Sequence, residues 1–170
     1  MTDKKYTRRT NGFSVTSLSP LSDVQTEEIL RITGMSSQLP NTILGGRGTV
    51  KKTFIPGIGQ VVIKSYIRGG LARYVSKRTY VKWGKYRSLH ELECLIRIKH
   101  LGIHVPDPIA SVTKGDCLYR AWLITKEIPS RYSLAELSLK DEEEAVSYID
   151  DIAEKLSILI RNNIDRKSVV

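Results

Sequence analysis

The stretch that decides the fold is GQVVIKSYIRGG, residues 59–70. The β-branched run from Val61 to Ile63 predicts a strand, and Lys64 follows it directly. The PGIG segment just before this strand is a strong hairpin signal, so we expect pairing with a strand at about 48–55. Lys64 is then either the solvated end of a strand or part of a site that binds an anion.

The sequence on either side of this hairpin predicts a mixed α and β domain. Apolar residues near helical spacing in RSLHELECLIRIKHLG predict a helix at about 87–101 that ends at Gly102. HVPDPIASV and DCLYRAWLITKEI predict two more strands. With a further strand at about 41–45, we expect an α+β fold: a mostly antiparallel sheet of about five strands with that helix packed on it. A long helix is expected at about 140–162.

The two ends of the chain differ from this central part. Residues 1–22 are rich in Thr, Ser and Lys without a period, so we expect a flexible basic arm. A short helix is expected after it, capped by Ser22 or Asp23. Near the other end, two capping boxes are expected: Ser133 with Glu136, and Ser138 with Asp141.

Composition places the chain among globular proteins with anionic partners. Its 170 residues suit one domain or one lobe of a larger fold. The formal net charge is +9, and residues 64–99 hold ten Lys or Arg against two Glu, which is +8 of that total. This favours a nucleotide, nucleic acid, phosphosugar or acidic lipid surface as partner.

The two cysteines are too few for a disulfide framework, which favours the cytoplasm, and they lack the spacing of a zinc site.

A glycine-rich segment, a strand that ends in Lys and a helix that carries Glu form a working arrangement for holding a nucleotide triphosphate. Glycines let the backbone approach phosphate, the Lys supplies positive charge, and the Glu holds the Lys in place. The residues concerned are Gly45, Gly46 and Gly48 in GGRGTV, Lys64, and either Glu91 or Glu93. Each also has an ordinary explanation, because glycines between strands usually form turns and a strand-terminal Lys is usually solvated.

In this order and spacing the residues resemble the lipopolysaccharide core sugar kinases, in particular the Kdo kinase (3-deoxy-D-manno-octulosonic acid kinase) type, a branch of the protein-kinase-like fold. The similar segments are GGRGTV, VVIKSYIRGGLARYVSKRTY, RSLHELECLIRIKHLGIHVPDPIASV and YRAWLITKEIPSRYSLAEL, which cover about residues 44–137. YIRGGL and GIHVPDPIA are the more specific parts. The resemblance implies that residues 23–129 are the amino-terminal lobe of such a kinase. Residues 130–170 would then hold the connection between lobes and the first helices of the second.

The resemblance implies ATP with Mg²⁺ as cofactor and assigns residues to it. A glycine hairpin would cover the phosphates, a lysine would contact them, and a glutamate would hold that lysine: Gly45, Gly46, Gly48, Lys64 and Glu91, with Glu93 as the fallback. Residues 125–129, TKEIP, fall where such kinases connect their lobes. Their backbone would meet the adenine, at Lys126, Glu127 and Ile128.

The chain departs from the family pattern at its end. Kinases of this fold continue into a second lobe with a catalytic-loop Asp, an Asn several residues later and an Asp that holds magnesium. This chain stops at NNIDRKSVV, where Asp165 has neither a His two positions before it nor an Asn five positions after it. We therefore expect no catalytic residue and no metal ligand here, with the magnesium ligands in a missing lobe, and interpret the chain as a truncated member.

Three functional hypotheses follow. The first is an ATP-dependent phosphotransferase that phosphorylates a sugar hydroxyl of the lipopolysaccharide core or of a lipid A-Kdo acceptor, in the cytoplasm and in peripheral contact with the inner membrane. The alternative is a non-catalytic nucleotide-binding or regulatory lobe that associates through its long amphipathic helix. A basic nucleic-acid-binding protein, using the cations and aromatic residues of 64–99, ranks last.

Overall fold

The computed structural model describes residues 4–35, 48–66, 80–81, 85–129 and 132–164, which form an antiparallel sheet and five helices. The elements are β1 Tyr6–Thr10, β2 Phe13–Ser17, α1 Asp23–Met35, β3 Gly48–Ile55, β4 Gly59–Tyr66, β5 Tyr80–Val81, α2 Arg87–His100, β6 Pro108–Lys114, β7 Leu118–Lys126, α3 Leu134–Lys140, α4 Glu142–Ser147 and α5 Ile149–Arg161. The sheet order is β1-β2-β6-β7-β4-β3, and β5 pairs with β7 at the side. The expected α+β fold with a mostly antiparallel sheet is therefore confirmed.

The first strands replace the flexible arm that we expected over residues 1–22. Residues 6–17 form a hairpin whose second strand, β2, pairs with β6. In β2, FSVTS alternates between buried and partly buried positions, and Phe13 and Val15 pack into the core. The hairpin turns at Asn11 and Gly12, both at positive φ, and this Asn-Gly pair is a strong hairpin signal within a Ser- and Thr-rich segment. The arm was predicted wrongly because its polar composition hides a period of two.

Helices cover both faces of the sheet. On one face, Ile29 and Ile32 of α1 pack against Val61 and Ile63 of β4 in the larger buried cluster. On the other, α2 packs against alternate residues of the same strands, in a cluster formed by Leu92, Leu95, Tyr66, Tyr119, Ala121 and Leu123. Because neighbouring side chains of a strand point to opposite faces, each residue of β4 belongs to one of these two layers. Lys64 and Tyr66 therefore lie on the α2 face.

The predicted helices are present, with adjusted ends. The helix expected at 87–101 is α2, Arg87–His100, and the chain leaves it through Gly102 at φ +78°. The helix expected at 140–162 is present as α4 and α5, which meet at Tyr148. Ser133 and Glu136 form the expected capping box of α3. Ser138 lies inside α3, so its expected box with Asp141 is wrong, and Asp141 instead caps α4 through the amide of Glu144.

The carboxyl-terminal helices contact α2 just after the end of α5. Ile164 is buried against Cys94 and Ile98 of α2. The guanidinium of Arg97 donates a hydrogen bond to the backbone oxygen of Asn162 at 3.1 Å. Most apolar side chains of α3 to α5 are exposed instead: Leu134, Leu139, Val146, Ile149, Leu156 and Ile160. Among the described helices, none is long and apolar enough to cross a membrane.

Candidate nucleotide site

Strand pairing places Lys64 near the end of β4, between β7 and the edge strand β3. It lies opposite Leu123 of β7 and opposite Val50 of β3. Its side chain is 32% exposed, so neighbouring residues cover it in part. Gly48 begins β3 opposite Tyr66, which puts the start of β3 at the same end of the sheet as Lys64. Gly45, Gly46 and the strand expected at 41–45 lie outside the described residues.

Helix α2 brings a buried carboxylate to this lysine. The ammonium of Lys64 donates a hydrogen bond to Oε1 of Glu91 at 2.8 Å. The Glu91 side chain is only 10% exposed. A buried carboxylate is stabilised only if it is paired and hydrogen-bonded, and this pair meets that condition. The arrangement holds a partly exposed lysine side chain in one place, which suits contact with an anion.

The fallback partner, Glu93, lies elsewhere. Two positions along a helix turn a side chain away by roughly 200°, and Glu93 accepts hydrogen bonds from Lys5, ahead of β1, and from Lys85 at 3.0 Å. Burial raises the pKa of Glu93, but the hydrogen bonds and charges of the two lysines outweigh it and hold that pKa below the ordinary value. Glu93 thus fastens α2 to the amino-terminal segment, while Glu91 faces Lys64.

Tyr66 is a third member of the site, one that the sequence motif does not include. Its hydroxyl donates a hydrogen bond to Oε2 of Glu91 at 2.5 Å, and the residue is 5% exposed. The available signal was its spacing, because a residue two positions after Lys64 shares its face of the strand. The Glu91 carboxylate therefore has a separate donor on each oxygen.

The expected adenine-contacting segment continues from the end of β7. The amide of Lys126 donates to the backbone oxygen of Asp107 at 2.8 Å, and the amide of Glu127 to that of Gln60 at 3.0 Å. The Glu127 carboxylate accepts a hydrogen bond from Lys52 at 2.6 Å. Ile128 follows with an exposed side chain. Both amide hydrogens of residues 126 and 127 thus hold the segment to the sheet.

The donor set fits phosphate groups better than it fits a metal. A lysine held by a buried glutamate supplies a fixed positive charge, which is what phosphate oxygens need. Over the described ranges, no three or more His, Cys, Asp or Glu residues cluster as a metal site would require. Magnesium often reaches such sites through one or two carboxylates plus the phosphates of the substrate.

Comparison with known proteins adds an independent result. A model of the lipopolysaccharide kinase (Kdo/WaaP) family matches residues 40–164. A 3-deoxy-D-manno-octulosonic acid kinase from Vibrio parahaemolyticus is 31% identical over 59% of this chain and 44% of its own length. One from Vibrio vulnificus is 31% identical over 65% of this chain and 49% of its length. One from Stenotrophomonas maltophilia is 34% identical over 56% of this chain and 39% of its own length.

The chain spans less than half the length of these curated relatives. No solved structure matches it. The family match covers most of the chain and contains Lys64, Tyr66 and Glu91, the three residues that the fold brings together. On that basis, the chain belongs to the lipopolysaccharide kinase (Kdo/WaaP) family.

Proposed function

We propose that this chain carries the nucleotide-holding part of an ATP-dependent phosphotransferase that acts on a sugar hydroxyl of the lipopolysaccharide core. The observation that supports it most is the 2.8 Å ion pair between Lys64 and Glu91 on the α2 face of the sheet. The relatives are named as kinases of 3-deoxy-D-manno-octulosonic acid. We therefore propose a Kdo-bearing lipid A or core sugar as the acceptor.

ATP, with Mg²⁺, would supply the phosphoryl group, and Lys64 would bind its phosphates. A fixed ammonium lowers the energy of negative charge on phosphate oxygens without having to be organised during the reaction. Glu91 keeps that ammonium in place. The start of β3 at Gly48, beside the Lys64 end of β4, is where backbone without a Cβ can come close to a phosphate. Gly45 and Gly46 are proposed to act in the same way.

For the adenine we propose the backbone of the segment from Lys126 to Ile128. Because the amide hydrogens of Lys126 and Glu127 already bind Asp107 and Gln60, the amide of Ile128 is the donor that we assign to the base. Replacing Ile128 by Pro removes this donor and should weaken binding of ATP. It should leave binding of inorganic triphosphate, which has no base, unchanged.

The acceptor side is proposed from charge. Residues 64–99 carry +8, and an acceptor in a phosphorylated glycolipid is anionic. We propose that the protein works at the cytoplasmic face of the inner membrane, held there by electrostatic attraction. Lower affinity for anionic vesicles at high salt would support this, because exposed charges are screened.

The second candidate is a non-catalytic nucleotide-binding or regulatory lobe. The observation that favours it is the exposed apolar surface of α3 to α5, where Leu139 is 90% and Ile160 72% exposed. Exposed apolar surface of this kind is typical of a face that contacts another protein. The two candidates differ in one assay: only the first predicts that radiolabelled γ-phosphate passes from ATP to a Kdo-lipid A acceptor when this chain is supplied together with the second lobe that the family resemblance implies.

The central test is MgATP binding by the purified chain, measured by isothermal titration calorimetry. Lys64→Ala should weaken binding by about tenfold or more, since a charge-assisted hydrogen bond is lost. Lys155→Ala is the matched control, because Lys155 is an ion-paired lysine on α5, away from the sheet, and its loss should change nothing. Equal affinity of Lys64→Ala and the unmodified chain would contradict the proposal.

A further inference from the structure

We propose that Tyr66 is a positioning residue of the nucleotide site, whose hydroxyl sets the orientation of the Glu91 carboxylate and so the place of the Lys64 ammonium. This inference rests on the proposed nucleotide-holding role of Lys64. It assigns a role to the neutral member of the group formed by Lys64, Glu91 and Tyr66.

The two oxygens of the Glu91 carboxylate accept hydrogen bonds from two different side chains. Lys64 donates to Oε1 of Glu91 at 2.8 Å, and the Tyr66 hydroxyl donates to Oε2 at 2.5 Å. As whole residues, Tyr66 is 5% and Glu91 8% exposed, so water does not readily replace the contact between them. The two donors come from the same strand and the same face, two residues apart, whereas Glu91 comes from α2.

The position of the tyrosine ring adds to this arrangement. The ammonium of Lys64 and the guanidinium of Arg87 each lie 5.5 Å from the centre of the ring. Cations at such distances are attracted to the face of an aromatic ring. The ring therefore contributes to holding Lys64, and its hydroxyl contributes to holding the carboxylate that binds Lys64.

The physical reason for a role in positioning is the number of hydrogen bonds available. An ammonium has three hydrogens, and an ionised carboxylate has two oxygens that accept them. With Tyr66 on Oε2, Lys64 meets a single oxygen and can direct its other hydrogens to a phosphate. Without the hydroxyl, Oε2 would be a buried acceptor lacking this donor, and the carboxylate would rotate to bind the ammonium with both oxygens. The lysine would then be drawn toward α2 and away from the nucleotide.

The test compares two buried tyrosines of the same cluster. Tyr66→Phe removes the hydroxyl that binds Glu91. Tyr119, like Tyr66, is 5% exposed, and Tyr119→Phe removes a hydroxyl that accepts a hydrogen bond from the amide of Arg87 at 3.4 Å. In titrations with MgATP we expect Tyr66→Phe to weaken binding about tenfold, which is the equivalent of one hydrogen bond to a charged group. Tyr119→Phe should stay within about twofold of the unmodified chain.

Repeating the Tyr66→Phe change in a Glu91→Met variant separates a role in positioning from a role in general stability. In Glu91→Met there is no carboxylate to orient, so adding Tyr66→Phe should cause almost no further loss of MgATP affinity. Placing para-aminophenylalanine at position 66 restores an N–H donor and should recover most of the affinity. Placing para-methylphenylalanine there fills the same space without a donor and should not. Comparing these last two variants also tests the role of the hydroxyl if Tyr66→Phe lowers the yield of folded protein.

The outcomes distinguish this inference from the function on which it rests. If Lys64→Ala weakens MgATP binding but Tyr66→Phe does not, the nucleotide site stands and the role of Tyr66 is wrong. The role of Tyr66 would also be wrong if Tyr66→Phe and Tyr119→Phe lowered the MgATP affinity equally. It would be wrong as well if Tyr66→Phe lowered that affinity equally in the presence and in the absence of Glu91, because either result indicates a structural effect. If the unmodified chain does not bind MgATP, both the proposed function and the role of Tyr66 fall.

Discussion

The hydroxyl groups of Ser88 in α2 and Ser111 in β6 lie 2.8 Å apart, and both side chains are buried. This bond ties the first turn of the helix that carries Glu91 to the sheet that carries Lys64. Further along α2, Glu93 is bound by Lys5 and Lys85. The helix is thus fastened by hydrogen bonds and ion pairs in addition to its apolar face.

The first prediction concerns the hydrogen bond between Ser88 and Ser111. Ser88→Ala should lower the free energy of unfolding by about 1–3 kcal/mol, because it leaves the Ser111 hydroxyl buried without this partner. Removing both hydroxyls, in Ser88→Ala with Ser111→Ala, should cost less than the sum of the two single changes. Urea unfolding followed by circular dichroism measures all three. Additive losses would show that the two hydroxyls do not depend on each other.

Breaking the central ion pair should reduce stability as well as nucleotide binding. Lys64→Met leaves Glu91 buried with one donor fewer, and we expect a loss of about 1–3 kcal/mol, less than for a fully buried pair because Lys64 is 32% exposed. Adding Glu91→Leu together with Tyr66→Phe should restore part of that loss, since it removes the carboxylate and the hydroxyl that binds it, and apolar side chains need no partner. A triple variant less stable than Lys64→Met alone would contradict this account.

The pKa of Glu93 gives a prediction about pH. Burial opposes ionisation of Glu93, but Lys5 and Lys85 lower its pKa below the ordinary 4.5. A carboxylate with a lowered pKa in the folded state stabilises the fold above its unfolded pKa, and this stabilisation is lost as the pH falls through the folded pKa. The difference in unfolding free energy between the unmodified chain and Glu93→Gln should therefore be largest near neutral pH and shrink below about 4.5.

The control for this pH series is Glu154→Gln, at an exposed position in the middle of α5. It should change the free energy of unfolding by no more than about 0.5 kcal/mol near neutral pH. Lys5→Met should reproduce part of the Glu93→Gln effect, because it removes one of the two cations. A difference between Glu93→Gln and the unmodified chain that stays constant with pH would contradict the assignment.

Two glycines with similar backbone angles allow a matched comparison. Gly12 and Gly115 both have positive φ, +75° and +92°, which costs a residue with a side chain about 1–2 kcal/mol. A Cβ at Gly12 would meet no atom within 4 Å, whereas one at Gly115 would lie 2.2 Å from the backbone oxygen of Leu118. Gly115→Ala should therefore lower the thermal unfolding midpoint clearly more than Gly12→Ala. Similar midpoints would show that the turn between β6 and β7 can relax.

Much of the fold could be predicted because its signals are local. The PGIG turn and the β-branched run after it predicted β3 and β4, and helical spacing predicted α2 to within one residue at its end. The first hairpin was missed because Phe13 and Val15 are the only large apolar side chains that it buries, and their burial depends on pairing with β6. A strand of Thr and Ser with two apolar residues becomes stable only when a sheet covers one face.

By itself the sequence determined the local elements, the positive charge of the Lys64 region and the candidates Lys64, Glu91 and Glu93. It did so because turn glycines, side-chain periodicity and charge are properties of neighbouring residues. Only the tertiary structure decided that Glu91 faces Lys64, that Glu93 faces Lys5, and that Tyr66 completes the carboxylate's contacts. The partners in these contacts are 25 to 88 positions apart in the chain. Such contacts depend on how α2 lies across the sheet. The position of α2 is determined by the packing of all the buried side chains on that face of the sheet.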